Sequence, residues 1–102
     1  MQIESIKRLV EVLHVLANPV RLKIIALLAE RPMYVYELAK VLKLSYPLTH
    51  LHLSALERAG IVESHIEISE ESRARRYFRV RDFRLELSPE FIRDLMRRCG
   101  HR

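Results

Sequence analysis

The chain is poor in the residues from which several kinds of site are built. Its 102 residues include one cysteine, Cys99, and two glycines, Gly60 and Gly100. A single cysteine excludes an internal disulfide framework and a multi-cysteine zinc site, and two isolated glycines exclude glycine-rich phosphate-binding loops. The longest apolar run is residues 24–29, whereas a membrane-spanning helix needs about 20 residues. These absences predict one intracellular, cytoplasmic domain, residues 1–102, with no membrane partner.

Positive charge is concentrated in one segment. The net charge is +5 at pH 7, and residues 73–84 hold six arginines against one acid, Asp82, so this segment alone carries +5. A local basic segment on a small domain predicts a polyanionic partner, most often nucleic acid. The alternative is a solvated surface strand.

Prolines, capping residues and a glycine mark the ends of helices. Asn18-Pro19 and Ser88-Pro89 each place a capping side chain before a first-turn proline, a pairing that opens a helix. Ser45 is a third N-cap, and Gly60 ends a long periodic run. With the apolar spacing, these signals predict five helices at residues 3–17, 19–30, 35–42, 45–59 and 89–99. The second is apolar on all sides and is expected to be the central buried helix.

Between residues 62 and 81 the apolar period changes from that of a helix to that of a strand. Residues 62–68 alternate, with Val62, Ile66 and Ile68 on one face and acidic or imidazole side chains on the other. Polar residues 69–72 form a turn, and residues 77–81 alternate again. This pattern predicts a β-hairpin whose return strand is rich in arginine.

The order of two helices, a third helix, a short turn, a fourth helix and a basic hairpin is a winged helix-turn-helix arrangement. Several stretches of the sequence resemble ArsR-type repressors. Residues 18–28 (NPVRLKIIALL) resemble the opening of that family, residues 36–39 (YELA) its third helix, residues 45–62 (SYPLTHLHLSALERAGIV) its recognition helix and residues 75–80 (RRYFRV) its second wing strand. The tail, residues 82–90, is similar to that of archaeal members.

The resemblance implies a fold that is mainly α with a small β-hairpin, about five helices plus a two-stranded wing. It also implies a homodimeric transcription regulator, usually a repressor, paired through its first and last helices. The sequence departs from the family pattern at three places: His50 stands where the family has a serine, Tyr34 stands where it has a Ser/Thr helix cap, and the wing has no glycine. The third helix lacks the cysteine pair with which some members sense metals, so neither a metal nor a cofactor is predicted.

Helical geometry separates two faces of the fourth helix. Thr49, Leu53 and Leu56 fall within one narrow arc, which predicts that they face the core. The candidates for contact with DNA bases lie on the opposite face or at the exposed N-terminal end: Tyr46, Pro47, His50, Leu51 and Ser54. This set contains no Arg, Asn or Gln, the usual readers of base edges, so we expect DNA shape to carry much of the specificity. For Leu51 the alternative is contact with a partner protein.

A second group of residues is predicted to contact the DNA backbone, because phosphates attract arginine and lysine. Arg73, Arg75 and Arg76 are expected ahead of Arg79 and Arg81. The other backbone candidates are Lys40, Lys43, Ser45 and Arg58. Arg21 is expected to form a structural ion pair.

The first and last helices, near residues 3–17 and 89–99, carry more apolar residues than a small core requires. A two-fold interface would cover them. The predicted interface residues are Ile3, Ile6, Leu9, Leu13, Phe91, Leu95 and Met96. The alternative is that all of them pack within one chain.

No catalytic constellation is visible, since no nucleophile lies at a credible spacing from a base. Glu90, Asp94 and His101 fall short of an interfacial zinc set, and Cys99 is either a small hydrophobe or a thiol switch between subunits. The predicted function is therefore a homodimeric, sequence-biased regulator of transcription on double-stranded DNA, a repressor associated with the nucleoid, whose effector the sequence does not identify. The alternatives are an architectural DNA binder with little sequence preference and a winged helix used for protein–protein contact.

Overall fold

Five helices and three strands follow one another in the computed structural model, which describes residues 1–98. Cys99 and His101, with the thiol-switch and zinc hypotheses attached to them, lie outside the described residues. The elements are α1 Ile6–Leu16, α2 Pro19–Glu30, β1 Met33–Tyr34, α3 Val35–Leu42, α4 Tyr46–Arg58, β2 Val62–Ile68, β3 Ala74–Val80 and α5 Pro89–Arg98. The five predicted helices and the hairpin are confirmed.

Serine and asparagine side chains cap the helices where the sequence indicates. The Asn18 side chain accepts from two first-turn N–H groups of α2 at 2.9 and 3.2 Å, and the Ser45 and Ser88 hydroxyls cap α4 and α5 in the same way. Helix α1 begins at Ile6 rather than near residue 3, because the Ser5 hydroxyl accepts from a first-turn N–H at 3.0 Å. Such a bond satisfies one of the N–H groups that a helix leaves without a partner.

Helix α4 ends in a glycine motif that leads the chain directly into the sheet. Gly60 has φ +79°, which a residue without a Cβ adopts readily. Its N–H donates to the Glu57 carbonyl at 3.0 Å, and the Ile61 N–H donates to the Leu56 carbonyl at 2.9 Å, the pair of bonds that defines a Schellman ending. The Ile61 carbonyl then accepts from the Arg81 N–H, and β2 begins at the next residue, Val62.

The sheet has three antiparallel strands in the order β1-β3-β2. The predicted faces of the hairpin are confirmed by a register that places Val62 opposite Val80. Strand β1 was not predicted, because two residues are too few to show an alternating pattern. It places Met33 opposite Phe78, which adds a strand to the two expected in the wing.

Helix α2 is less buried than its composition suggests, and its expected place as the central buried helix is wrong. Ile24 and Leu28 are buried, but Leu22 is 52% exposed. The helix packs against α1, α4 and β3, and these neighbours cover only one side. Among residues 1–98 no single helix is long and apolar enough to span a membrane, although α1 and α2 together reach that length and composition across an 86° bend.

The predicted dimer-interface residues divide into a buried group and a half-buried group. Ile3, Leu9 and Leu95 are buried within the chain, so for these three the structure favours the alternative of packing inside one subunit. The physical reason is that α1 and α5 contact each other and close one side of the core. The half-buried members of the predicted interface are Ile6, Leu13, Phe91 and Met96.

Candidate nucleic-acid interface

Helix α4 presents one face to solvent and the other to the core, as its sequence predicts. Thr49, Leu53 and Leu56 are fully buried, and the Thr49 hydroxyl donates to the Ser45 carbonyl at 2.9 Å. Leu51, on the opposite face, is 58% exposed. Of the other base-contact candidates, two are exposed (Tyr46 and Pro47) and two are half-buried (His50 and Ser54).

Three of these candidates form a row along the helix, one turn apart. The Tyr46 and His50 rings stack with centroids 6.3 Å apart and planes 11° from parallel. On its other side, His50 Nδ1 lies 3.5 Å from the Ser54 hydroxyl. The imidazole is therefore held between two neighbours rather than projecting freely, which lowers the entropy cost of presenting it to a partner.

A buried polar contact fastens α4 to α2 behind this face. Arg21 Nε donates to His52 Nδ1 at 3.2 Å, and Arg21 Nη1 donates to the Val15 carbonyl at 3.3 Å. The predicted structural role of Arg21 is confirmed, but the predicted ion pair is wrong because both partners are neutral acceptors. Burial, and secondly the Arg21 charge, lower the pKa of His52 below its ordinary value.

Arg76 connects the wing to α4. Its guanidinium lies 3.0 Å from a Glu57 carboxylate oxygen and donates through Nε to the Ser64 hydroxyl at 2.9 Å. Ser64 in turn donates to Glu57 at 2.7 Å. Glu57 is in the last turn of α4 and Ser64 is in β2, so three elements meet at this contact. Much of the Arg76 charge is thereby balanced within the chain.

Two further wing arginines share one acid. Arg79 Nη2 lies 3.0 Å from a Glu63 carboxylate oxygen, and Arg81 Nε lies 3.7 Å from the other oxygen. Arg73 and Arg75 differ, because neither forms an ion pair with any of residues 1–98. Arg73 and Arg75 are therefore the wing arginines without an acidic partner, while Arg79, Arg81 and Glu63 together keep a net charge of +1.

Arg75 lines an aromatic cleft of about 270 Å³. Its guanidinium carbon is 4.6 Å from the centre of the Tyr34 ring, a distance typical of a cation–π contact. The cleft separates the start of α3 and of α4 from β3, and no acidic side chain lines it. The lining residues are Tyr34, Val35, Tyr36, Tyr46, His50, Ala74, Arg75 and Arg76.

Tyr34 and Tyr36 were missed as candidate functional residues. The sequence signal that could have found them is the position of the tyrosines beside basic segments. The chain has four: Tyr34, Tyr36, Tyr46 and Tyr77. The Tyr34 ring meets the Tyr77 ring edge-on at 5.5 Å. The Lys40 ammonium lies 5.8 Å from the centre of the Tyr36 ring, which brings one predicted backbone contact to the same side of the molecule.

The other backbone candidates lie at different places. Lys43 adopts φ +58° in the turn between α3 and α4 and is exposed. The Ser45 hydroxyl is already engaged in capping α4. Arg58 is exposed at the far end of α4, about 18 Å from Tyr46 at 1.5 Å per residue, so it is not part of the group around the cleft.

The turn of the wing carries acidic side chains beside its arginines. Glu67, Glu70 and Glu71 are exposed in and beside the turn. The turn forms without glycine because Ser72 takes φ +62°, an uncommon but accessible conformation for a residue other than glycine. Arg73 and Arg75 lie at this same end of the hairpin, since Ser69 bonds to Arg73 across the turn and Glu67 lies opposite Arg75, so charges of both signs meet there. Among residues 1–98, no group of three or more His, Cys, Asp or Glu side chains is placed to hold a metal ion.

Comparisons with known proteins agree with this geometry. Residues 18–64 match the family described as bacterial regulatory protein, arsR family. An uncharacterized HTH-type transcriptional regulator of Methanocaldococcus jannaschii is 42% identical over 80 residues, which cover 78% of this chain and 83% of that protein.

Two solved structures are similar over most of the fold. The homodimeric winged helix-turn-helix DNA-binding domain of a possible ArsR-family regulator from Mycobacterium bovis aligns with a TM-score of 0.62 and 30% identity, covering 72% of this chain and 64% of that one. A transcriptional regulator homologue from Pyrococcus horikoshii aligns with a TM-score of 0.61 and 30% identity, covering 93% of this chain and 92% of that one.

Proposed function

Because the chain belongs to the ArsR family of regulatory proteins and has the winged helix-turn-helix fold, we propose that it is a homodimeric, sequence-biased repressor that binds double-stranded DNA. In this proposal α4 enters the major groove and the arginines of the wing contact phosphates or the minor groove. The observation that carries it is that the exposed face of α4 and the uncompensated Arg75 lie on either side of one acid-free cleft.

The row Tyr46, His50 and Ser54 supplies the groups that hydrogen-bond base edges in this proposal. Leu51, which has no polar atom in its side chain, contacts a thymine methyl, and Pro47 shapes the end of the helix that approaches the groove. None of these side chains bonds two groups of one base in the manner of Arg, Asn or Gln. Specificity therefore rests in large part on the shape and stiffness of the operator.

Arg73 and Arg75 are the principal phosphate contacts of the proposed complex, because their charge is not balanced within the described chain. Lys40 and Lys43 add contacts beside the start of α4. The remaining candidates contribute less: Arg76, Arg79 and Arg81 are ion-paired, the Ser45 hydroxyl is used in capping, and Arg58 lies at the far end of the helix.

The proposed dimer uses α1 and α5, which pack against each other in one subunit. The half-buried Ile6, Leu13, Phe91 and Met96 supply its contacts, and the exposed Val10 and Ile92 extend them. Ile3, Leu9 and Leu95 support the surface from beneath. The homodimeric state of the Mycobacterium bovis domain supports this proposal.

The test is fluorescence anisotropy with two labelled duplexes, the upstream region of the chain's own gene and a scrambled version, each at two salt concentrations. We expect tighter binding to the upstream duplex and a steep loss of affinity with salt for both. Replacing Leu51 with Ala should reduce the preference between duplexes. Leu22→Ala is the matched control, because Leu22 is a comparably exposed leucine on α2 and should leave the preference unchanged.

A second candidate function is that of an architectural DNA binder. The lack of an Arg, Asn or Gln among the base-contact candidates of α4 favours it. Equal, salt-sensitive binding to both duplexes, unaffected by Leu51→Ala, would favour this candidate over the repressor. The absence of binding to either duplex at moderate salt would overturn both, and a protein partner for the Leu51 surface would then be sought.

A further inference from the structure

The outer half of strand β2 is an exposed apolar edge that the proposed DNA contacts do not use. In the order β1-β3-β2, β2 has a neighbouring strand on one side only among the described residues. Ile66 and Ile68 are 69% and 75% exposed, the most exposed of the large apolar side chains. Exposed apolar edges are costly because they invite another strand, and proteins usually blunt them with charged side chains, especially lysine, or with proline. Strand β2 has neither lysine nor proline, and its two acids, Glu63 and Glu67, lie on the face opposite the isoleucines.

The hydrogen bonds at the two ends of the hairpin show which backbone groups face the open edge. The Arg81 N–H donates to the Ile61 carbonyl and the Ser69 N–H donates to the Arg73 carbonyl. In an antiparallel ladder every second residue bonds to its neighbour strand, so the odd-numbered residues of β2 face β3. The N–H and C=O groups of Ser64, Ile66 and Ile68 therefore point outward, beside exposed apolar side chains.

We propose that this edge pairs with the same edge of a second copy of the chain, antiparallel and with the two-fold axis at Ile66. This register places Ile66 opposite the second copy's Ile66 and Ile68 opposite its Ser64, so the outward-facing backbone groups meet. On the other face it places Glu67 opposite the second copy's His65. These two side chain types already bond within one strand, His65 Nε2 lying 2.9 Å from a Glu67 oxygen.

The charge pattern of β2 disfavours the neighbouring registers. An axis at Glu67 places that carboxylate opposite its own copy, and an axis at His65 places Glu67 opposite the second copy's Glu63. An axis at Ile68 opposes only that residue of β2 to its own copy, because residue 66 then lies opposite Glu70, beyond the end of the strand. Like charges directly opposed in a sheet are destabilising. Of these four registers, only the axis at Ile66 opposes several residues of β2 without a pair of like charges.

The pairing is weak in free solution and effective when two copies are held near each other. A two-stranded contact is marginal in water, whereas binding at adjacent sites on one duplex raises the effective concentration to the millimolar range. Wing-to-wing pairing would therefore make neighbouring dimers bind cooperatively. This consequence rests on the proposed DNA binding, but the pairing itself does not require DNA.

Disulfide trapping tests the register without DNA. In a Cys99→Ser background, Ile66→Cys places two thiols on opposed residues about 5.5 Å apart at Cα, within the range that a disulfide spans. Ile68→Cys is the matched control, because the two copies of residue 68 are offset by four positions, about 13 Å along the strand. Glu67→Cys tests the alternative register with the axis at Glu67, because that register would place the two copies of residue 67 opposite each other.

We expect a covalent dimer on a non-reducing gel for Ile66→Cys under mild oxidation, at least tenfold more abundant than for Ile68→Cys or Glu67→Cys. Equal cross-linking of the three variants, or none of Ile66→Cys at millimolar protein, would overturn the proposal. Circular dichroism of each variant establishes that it is folded before oxidation.

A second measurement reads cooperativity on a duplex long enough for two dimers. Ile66→Lys blocks the edge with a charge and should abolish cooperative filling while single-site binding persists. Leu22→Lys adds the same charge to α2 and should retain cooperativity. If the chain binds no DNA, this assay has no signal, but the cross-linking result still decides the proposal about the edge. Cooperativity that survives in Ile66→Lys would refute the role of the wing.

Discussion

Replacing Arg75 with Ala should change the salt dependence of DNA binding much more than replacing Arg79. Arg75 rests on the Tyr34 ring and forms no ion pair with the described residues, whereas the Arg79 guanidinium lies 3.0 Å from Glu63. Each phosphate neutralised on duplex DNA contributes about 0.9 to the slope of log K against log salt concentration. A homodimer loses two such contacts, so Arg75→Ala should reduce the slope by about 1.8.

That change in slope has two measurable consequences. The ionic part of the affinity falls by about 60-fold at 0.1 M salt, and a fourfold rise in salt costs the variant about 12-fold less affinity than it costs the unmodified protein. Arg79→Ala removes a guanidinium that is held against Glu63 and is therefore not free to contact a phosphate, although the group of Arg79, Arg81 and Glu63 then loses one positive charge. Its slope should therefore stay within about 0.5 of the original.

The assay is anisotropy of a labelled duplex at four salt concentrations between 50 and 200 mM, with thermal melts to show that both variants are folded. Loss of the Arg75–Tyr34 contact should cost about 0.5–1 kcal/mol of stability, too little to unfold the domain. An Arg75→Ala slope equal to the original would refute the reasoning. A loss of slope in Arg79→Ala as large as in Arg75→Ala would refute it equally, because internal pairing would then not decide which arginines meet phosphate.

Three further predictions concern stability. The pKa of His52 is lowered in the folded protein, so the unfolded chain takes up the proton first as the pH falls. The free energy of unfolding, measured by urea titration, should therefore decrease as the pH drops from above about 6.5 towards that lowered value. An equal pH dependence in His52→Gln would contradict this assignment. Gly60→Ala should lower the free energy of unfolding, measured by urea titration, by about 1 kcal/mol. The cost comes from the backbone, because φ is +79° while the added Cβ meets its nearest neighbour at an ordinary 3.5 Å. An unchanged midpoint would show that the Schellman ending does not require glycine. Phe78→Ala should cost about 3–5 kcal/mol in thermal or urea unfolding, because this fully buried ring joins β1 and β3; a loss below about 1 kcal/mol would show that the site collapses around the cavity.

Local chemistry explains why the helices could be predicted from sequence. Asn18, Ser45 and Ser88 bond to backbone groups within the next three residues, and Gly60 acts on the turn that precedes it. The two faces of α4 follow from the helical period alone. Strand β1 exists because Phe78 and Tyr77 return beside it in the folded sheet, a long-range event that two residues cannot encode locally.

The sequence predicted which helices and strands form the candidate interface, but it did not predict which of their charged side chains pair with each other. The contact between Arg76 and Glu57 joins residues 19 positions apart, and no periodic pattern reveals it. The pairing of Arg79 with Glu63 depends on the loop between Ser69 and Arg73, whose three residues, 70–72, place the two opposite each other, whereas the predicted four-residue turn at 69–72 would place Glu63 opposite Phe78. The cleft lined by Tyr34 and Tyr36 depends on how α3, α4 and β3 meet, which is set by the packing of the core.

The arginines without an acidic partner lie at the same end of the hairpin as the acidic side chains of its turn, because the register places Glu67 opposite Arg75 and joins Ser69 to Arg73 across the turn. The fields of opposite charges that are this close largely cancel beyond a Debye length, about 8 Å at physiological ionic strength. This end of the hairpin would therefore add little to the long-range attraction between the domain and a polyanion, and its arginines would act once they are within reach of individual phosphates. The hairpin would thus affect the lifetime of a complex more than the rate at which the complex forms.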